Sequence, residues 1–406
     1  MQQYDVLIIG SGMVGSALAC ALAQQTSLSI AVLESSSQIP EWSAEQYQPR
    51  VSAISLSSQR IFTSLGVWNS IKEMRVSPFT QIYVWDANSP GQIHFNSREI
   101  AEPLLGYIIE NNVIQIALHQ RMRQHANITY LAPVKLTMLH EFDDRIELMT
   151  DAQEMFRASL VVAADGAKSW LREQANIKIS QHDYQQAGIV TTVETELAHE
   201  QVARQVFRDT GPLAFLPLAA PNLASIVWSA PSAEAERLMQ LDDANFKLAL
   251  SQAFGRRLGD IVRIDKRFSF PLKLQQASQY VKHRVALVGD AAHTVHPLAG
   301  QGVNMGLLDA ACLSQVIKAA YDKQRDFASL YTLRRYERWR RADNAGMMTG
   351  VDAIKKLFAS DKAVTQGIRA LGVNLTDYLT WVKNFFCRHA IGNRGDLPGL
   401  AQNPVA

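Results

Sequence analysis

The sequence predicts an α/β protein with a Rossmann-like dinucleotide-binding domain, a β-rich second domain and C-terminal helices. Three features carry that expectation. The chain opens on an apolar strand, a glycine-rich turn and a helix. Two further apolar strands end in Asp165-Gly166 and Gly289-Asp290. The stretch between those two motifs is rich in β-branched runs. Residues 1–75, 103–180 and 271–330 are expected to form the nucleotide-binding domain discontinuously, 76–102 and 181–270 the β-rich domain, and 331–406 a helical segment.

Taken in order, Tyr4-Asp-Val-Leu-Ile-Ile9 is apolar without alternation, the pattern of a parallel strand buried on both faces, and it stops at glycine. Small and apolar residues at helical spacing run from Met13 to Gln25. A second strand, Leu28 to Leu33, closes on Glu34 and completes a βαβ unit. The Ser/Gln-rich stretch from Ser35 to Gln48 reads as a loop, and Ser57 to Gly66 as a capped helix with a C′ glycine. Ser77 to Phe95 reads as strands and Asn112 to Gln124 as a helix, before strands that lead to Leu160-Val-Val-Ala-Ala164. From Gln181 to Phe270, runs such as Gly188-Ile-Val-Thr-Thr-Val193 and Leu223-Ala-Ser-Ile-Val-Trp-Ser229 are strands, interrupted by a helix near Asp243 to Phe254. Arg284-Val-Ala-Leu-Val288 returns to the opening pattern, and helices dominate from Leu307.

At about 150 residues per domain, 406 residues suggest two or three domains. A composition of 47% hydrophobic and 19% charged residues excludes a largely disordered chain. Forty basic against thirty-eight acidic residues, a net charge of +2, argues against nucleic acid as the main partner. Cys20, Cys312 and Cys387 lie far apart, which supports neither a disulfide framework nor a zinc site; a reducing cytoplasm fits, and no metal is expected. No apolar run approaches the ~20 residues that span a bilayer, and no signal peptide is expected.

In Gly10-Ser-Gly12-Met-Val-Gly15 the glycines permit a tight turn, close approach of a pyrophosphate and close helix packing, and the helix N-terminus favours negative charge. Glu34, 19 residues after Gly15, is placed to accept hydrogen bonds from ribose hydroxyls. These residues point to an adenine dinucleotide and leave FAD or NAD open. Gly289-Asp290-Ala-Ala-His293 then puts an acid after another buried strand far downstream, an element that nicotinamide domains lack. It continues as His296-Pro297-Leu-Ala-Gly300-Gln-Gly302-Val303-Asn304-Met-Gly306-Leu-Leu-Asp309, a glycine loop opening a helix whose positive end suits an anion such as reduced flavin N1. Val162-Ala-Ala-Asp165-Gly166-Ala-Lys-Ser169-Trp-Leu-Arg172 is the third motif.

Those three motifs, in this order, resemble the class A flavoprotein monooxygenases with the para-hydroxybenzoate hydroxylase fold, whose FAD-binding domain is of the GR2 type; the likeness spans essentially the whole chain. Within that superfamily, His296 to Asp309 is similar to the signature of the ubiquinone-biosynthesis hydroxylases. Arg50-Val-Ser-Ala-Ile54, Gly106-Tyr-Ile-Ile-Glu110-Asn111 and Gly211-Pro-Leu-Ala-Phe-Leu-Pro217 point the same way. Arg204-Gln-Val-Phe207 with Glu337-Arg338 most resembles the 2-polyprenylphenol hydroxylase branch, while Leu104-Leu-Gly-Tyr107 and Arg341-Ala-Asp343-Asn344 are equally similar to the demethoxyubiquinone-type branch. The resemblance implies that Gly10, Gly12, Gly15 and Glu34 hold the ADP half of FAD and Asp290 the ribitol, with Arg50 and Glu110 along the cofactor. Asp165 would brace the domain and meet the pyridine nucleotide. Pro297 to Asn304, including Gly300, would lie beside the isoalloxazine, with Gly302, Val303 and Asn304 offering N–H groups to its C2 carbonyl and N1. The implied activity is hydroxylation of a polyprenylated phenol with NADH or NADPH and O₂, through a flavin C4a-hydroperoxide.

His296 and Pro297 are the candidate catalytic positions, a histidine being suited to take a phenolic proton near neutral pH; hydrogen bonding within the loop is the plainer role for His293 and His296. Phe207, Phe215 and Trp228 are candidate cavity-lining aromatics, with plain core as the alternative. Between Tyr331 and Arg341, five arginines face one glutamate, the composition of a solvated helix face or of a membrane-surface contact. A long prenyl tail, at about 0.8 kcal/mol per CH₂, would keep the substrate in lipid, so a cytoplasmic enzyme peripheral to the inner membrane, or a biosynthetic partner, would have to reach it. A flavin reductase or dehydrogenase on the same fold and a non-catalytic flavoprotein of a biosynthetic complex are the rival functions.

Overall fold

The computed structural model describes residues 1–294, 301–359, 392 and 396–403, with side chains for all of these except 301 and 345–359. Its first sheet is mainly parallel. β1 (Gln2–Ile9) lies between β2 (Ile30–Leu33) and β11 (Met155–Ala163). β8 (Ile128–Leu131) extends the β2 side, and β19 (Val285–Leu287) with β18 (Val281–Lys282) extends the β11 side. β10 (Ile146–Thr150) and β9 (Leu136–Glu141) branch antiparallel from the start of β11. Val6, Leu7 and Ile8 are fully buried, as a strand covered on both faces requires, and each contributes about 1.5–3 kcal/mol of transfer free energy. α1 (Met13–Gln25), α4 (Asn111–Met122) and α8 (Gln301–Tyr321) join this sheet in one hydrophobic core.

α2 (Leu56–Ser64) is capped by Ser55, whose hydroxyl accepts from Ser58 N, and Gly66 follows its end at φ +74°. α3 (Trp68–Met74) leads to β4 (Ser77–Phe79). With β3 (Val51–Ser55) and β7 (Gly106–Glu110), β4 makes a small antiparallel sheet.

The third sheet has nine strands. β6 (Gln92–Asn96) and β5 (Gln81–Asp86) form one edge, followed by β13 (Val202–Phe207), β14 (Leu213–Pro217), β15 (Leu223–Pro231), β12 (Ile179–Thr195), β17 (Phe268–Ala277) and β20 (His293–Thr294); β16 (Ile261–Ile264) also pairs with β12. One face of this sheet is packed by α6 (Ser232–Gln240) and α7 (Asp243–Ala253). The sequence anticipates α7 and misses α6, whose Ala235 and Leu238 are buried between charged neighbours, with Met239 packed partly against the same core. The other face meets the small sheet through Ile82, Ala203, Leu216 and Leu223 against Phe79, Leu105 and Ile108. α5 (Trp170–Gln174) follows β11, and α9 (Leu330–Ala359) packs on α8.

Candidate functional site

Ile9, Leu33, Ala163 and Leu287 lie in one cross-strand row, at or next to the carboxyl ends of four parallel strands. The residues that follow them therefore emerge along one edge: Gly10 to Gly12, Glu34, Asp165 and Asp290. In an open α/β sheet this edge is where ligands bind. Backbone hydrogen bonds fix the exits, Gly10 N donating to Leu33 O at 2.8 Å, Ala164 N to Ile9 O at 2.8 Å and Val288 N to Ala163 O at 2.9 Å.

The three glycines of the first loop have different jobs. A Cβ at Gly10, which sits at φ +100°, would lie 2.4 Å from Ala164 O, and one at Gly15 would lie 2.0 Å from Gly10 O. Those two let α1 and β11 close on the loop. A Cβ at Gly12 would find no described atom within 4 Å. The space above Gly12 is open at the head of α1, which fits a pyrophosphate drawn to the helix N-terminus.

Glu34 accepts from Ser11 N and Ser11 Oγ, both at 2.9 Å, and from Ser36 N at 2.9 Å. Burial pushes its carboxyl up, but these donors outweigh burial and hold it below the usual range. An ionised acceptor is thus fixed at the end of β2. Gln115 and His119 of α4 brace the same loop by hydrogen bonds to Ser11 O at 3.2 and 2.8 Å; neither is visible from a local motif.

Asp290 is exposed to solvent yet hemmed in by protein. Burial of the carboxyl raises it above the usual range, against the attraction of His293 and Arg50. Arg50, itself exposed, is thereby placed on the Asp290 side of the site. The Asp165 carboxyl is pushed up by burial, accepts from Leu171 N at 3.2 Å, and leaves Oδ1 buried with no partner among the described residues. Arg172, from the same motif, donates to Ala291 O at 3.0 Å and to Ala167 O at 2.9 Å, binding the Asp-Gly turn to the Gly-Asp turn.

Asp309 of α8 is the buried hub beneath these turns. Its Oδ2 accepts from Gly289 N at 3.1 Å and pairs with His293 Nε2 at 2.5 Å; its Oδ1 accepts from Arg340 Nε at 2.8 Å and Asn344 Nδ2 at 3.3 Å. Burial alone would raise this carboxyl, and His293 and Arg340 bring it below the usual range. His293 is thus a structural partner of Asp309. Arg340 is not on the exposed arginine face: it is buried, because the Asp309 carboxylate compensates its charge. Arg334, Arg335, Arg338 and Arg341 remain exposed beside Tyr331.

Asn304, in the first turn of α8, accepts from Ser55 N at 3.0 Å and Ser58 Oγ at 2.7 Å and donates to Ala53 O at 2.8 Å, which fixes the helix start against β3. Gly302 and Val303 sit in the same half-buried turn. Gly300, His296 and Pro297, like Cys387, lie outside the described residues. Glu110 pairs with Arg75 at 2.8 Å and accepts from Gln48 N at 2.7 Å, so its carboxylate braces the loop ending at Arg50. Phe215 and Trp228 are corrected to core: they point to the α6–α7 face, Phe215 stacking on Phe254 at 3.8 Å and Trp228 lying 6.0 Å from Phe246. Strand alternation puts Phe207 on the opposite face, with Val84 and Ile93.

The FAD binding domain family matches residues 3–349. Ubiquinone hydroxylase UbiL of Rhodospirillum rubrum is 39% identical over 389 residues, 96% of this chain and 89% of that protein. The 3-demethoxyubiquinol 3-hydroxylase of Escherichia coli is 36% identical, over 96% of this chain and 99% of its own length. Among solved structures, p-nitrophenol 4-monooxygenase PnpA of Pseudomonas putida matches with a TM-score of 0.78 at 19% identity, over 97% of this chain and 100% of that one, a likeness of fold.

Proposed function

The chain belongs to the FAD binding domain family and, within it, to the ubiquinone-biosynthesis hydroxylases, and from that premise we propose that it hydroxylates the aromatic ring of a polyprenylated phenol, with NADH or NADPH as reductant. Two electrons come from the nicotinamide, one oxygen atom of O₂ enters the ring and the other leaves as water. Bound FAD, once reduced, supplies the activation of dioxygen. The observation that carries the proposal is the single edge on which the open space at Gly12, the ionised Glu34, the strand-end acid Asp290 and the anchored first turn of α8 converge.

In this assignment Gly12 admits the pyrophosphate, Glu34 accepts from the ribose, Asp290 from the ribitol, and the N–H groups of Gly302, Val303 and Asn304 face the anionic side of the flavin ring. Gly10, Gly15, Glu110 and Asp165 hold those groups in place, and Arg50 lies near Asp290. No helix among the described residues is long and apolar enough to cross a membrane. A prenylated substrate partitions into lipid, and the exposed arginines of α9 suit contact with an anionic bilayer surface. The 36% identity to the 3-demethoxyubiquinol 3-hydroxylase over 99% of its length favours a second reading, a demethoxyubiquinone-type ring position.

Assayed with ¹⁸O₂ and a prenylated phenol, the protein is expected to put one labelled atom into the ring. Label from water instead would sink the monooxygenase reading and favour a dehydrogenase. The mass of the precursor that accumulates in a deletion strain separates the two ring positions.

A further inference from the structure

On the sheet face turned toward the FAD-binding core, one row crosses seven strands: Ile93, Val84, Gln205, Ala214, Val227, Val190 and Phe268 are successive cross-strand partners from β6 to β17. Six of the seven are apolar. Gln205 is the exception, and its side-chain amide makes no hydrogen bond to any described residue. The two faces of the sheet differ. Ile189, Val206, Phe215, Ile226 and Trp228 are buried against α6 and α7, whereas Val84, Gln205, Ala214 and Val227 are only half-buried. The open row is also next to the site. Two residues back along β13 and β5, about 7 Å at the usual strand rise, Ala203 and Ile82 pack against the small sheet, and β3 of that sheet is gripped by Asn304 at the head of α8.

A half-buried glutamine in mid-row on an apolar sheet face loses its water when a ligand covers it, which is costly unless the ligand pairs with the amide. A carboxamide can donate to a phenolic oxygen and accept from a phenolic O–H. Ala214 beside it is short enough to leave room for a ring, and Val84 and Val227 offer apolar surface for the ring carbons. We propose that Gln205 is the residue that seats the phenolic oxygen of the aromatic substrate, with this row as the floor beneath the ring. The proposal rests on the reading of the substrate as a phenol and adds the group that recognises its oxygen. A site built around such a hydrogen bond discriminates against a ligand lacking the hydroxyl more strongly than an apolar slot discriminates by size.

The test uses the FAD-loaded protein and two probes, 2-decylphenol and its methyl ether 2-decylanisole, titrated against the flavin absorbance. The wild type is expected to bind the phenol about tenfold more tightly than the ether. Gln205→Leu, which suits an apolar row, should keep its FAD, bind the ether within about twofold of wild type and lose the preference. It should also release more peroxide per NADH oxidised. Gln205→Glu keeps the size and the acceptor but brings a charge at about pH 8, so it should weaken the ether, whose ring would desolvate an unpaired carboxylate, more than the phenol. A tenfold preference that survives Gln205→Leu would overturn the inference, as would equal loss of both probes. A wild type that binds neither probe would overturn the phenol reading itself, and the inference with it.

Discussion

At Gly12 one substitution separates cofactor binding from folding. The backbone there is extended, φ −62° and ψ −179°, a conformation any residue adopts, and a Cβ meets no described atom within 4 Å. Gly12→Val should therefore leave the apoprotein about as stable as wild type. Its side chain occupies the space in which a pyrophosphate must reach the loop. Losing two charge-assisted hydrogen bonds at about 1.5–3 kcal/mol each amounts to about 3–6 kcal/mol, or roughly 10²- to 10⁴-fold in FAD affinity. Gly15→Ala is the contrast. Its Cβ would sit 2.0 Å from Gly10 O, so α1 must move off the loop, at about 1–3 kcal/mol of stability. The assay is flavin absorbance of the purified proteins together with thermal unfolding after flavin removal. Gly12→Val should be colourless with an unchanged apoprotein Tm, and Gly15→Ala should lose several degrees. Stoichiometric, tightly bound FAD in Gly12→Val would refute the reasoning, as would an apoprotein Tm as low as that of Gly15→Ala.

Asp290→Asn should weaken FAD binding by about 10- to 100-fold, read by cofactor titration, because a charged acceptor is lost. It should also raise the apoprotein's stability relative to wild type as pH rises above about 3.9. The folded Asp290 carboxyl is raised by burial, so its contribution to stability falls as pH rises from the usual aspartate value, about 3.9, through the raised one. Asp309 has the opposite sign: its depressed carboxyl contributes stability above about pH 3.9 that is lost as pH falls, and Asp309→Asn should remove that acid limb in a pH series of melts. Arg340→Leu removes one of the two counter-charges of the Asp309 carboxylate and should cost about 3–5 kcal/mol in denaturant unfolding. Phe215→Ala should cost about 3–5 kcal/mol of stability, whereas Phe207→Ala should change substrate coupling more than stability; equal effects at both would contradict their assignment to opposite faces.

The part of the site legible in the sequence is the part carried by glycine and by strand ends. Gly10, Gly12 and Gly15 are readable because backbone approach admits no other residue at two of them and the open space at the third suits a ligand. Glu34 and Asp290 are readable because each follows a short buried strand. The supports were not legible. His119 and Gln115 reach Ser11 O from a helix about a hundred residues away, and nothing local to α4 announces a donor. Glu110 sits at the end of a strand like Glu34 but is claimed by Arg75, since the chain before Arg50 folds back over it.

Arg340 and Phe215 show where pattern reading fails for a physical reason. In Arg334-Arg-Tyr-Glu-Arg-Trp-Arg340-Arg the charges suggest a solvated helix, yet helical spacing puts Leu333, Tyr336, Arg340 and Asn344 on one stripe, and that stripe is buried. The carboxylate that makes an arginine tolerable there lies 31 residues earlier, on α8. Alternation along β14 likewise sorts Leu213, Phe215 and Pro217 onto one face without saying which face a helix covers. That choice is made by α6 and α7, from sequence between β15 and β16. It is also what leaves Gln205 on the open side. The same register that buries Val206 under the helices turns the amide one residue before it toward the face that meets the small sheet, so Gln205→Leu and Phe215→Ala probe the two consequences of one packing decision.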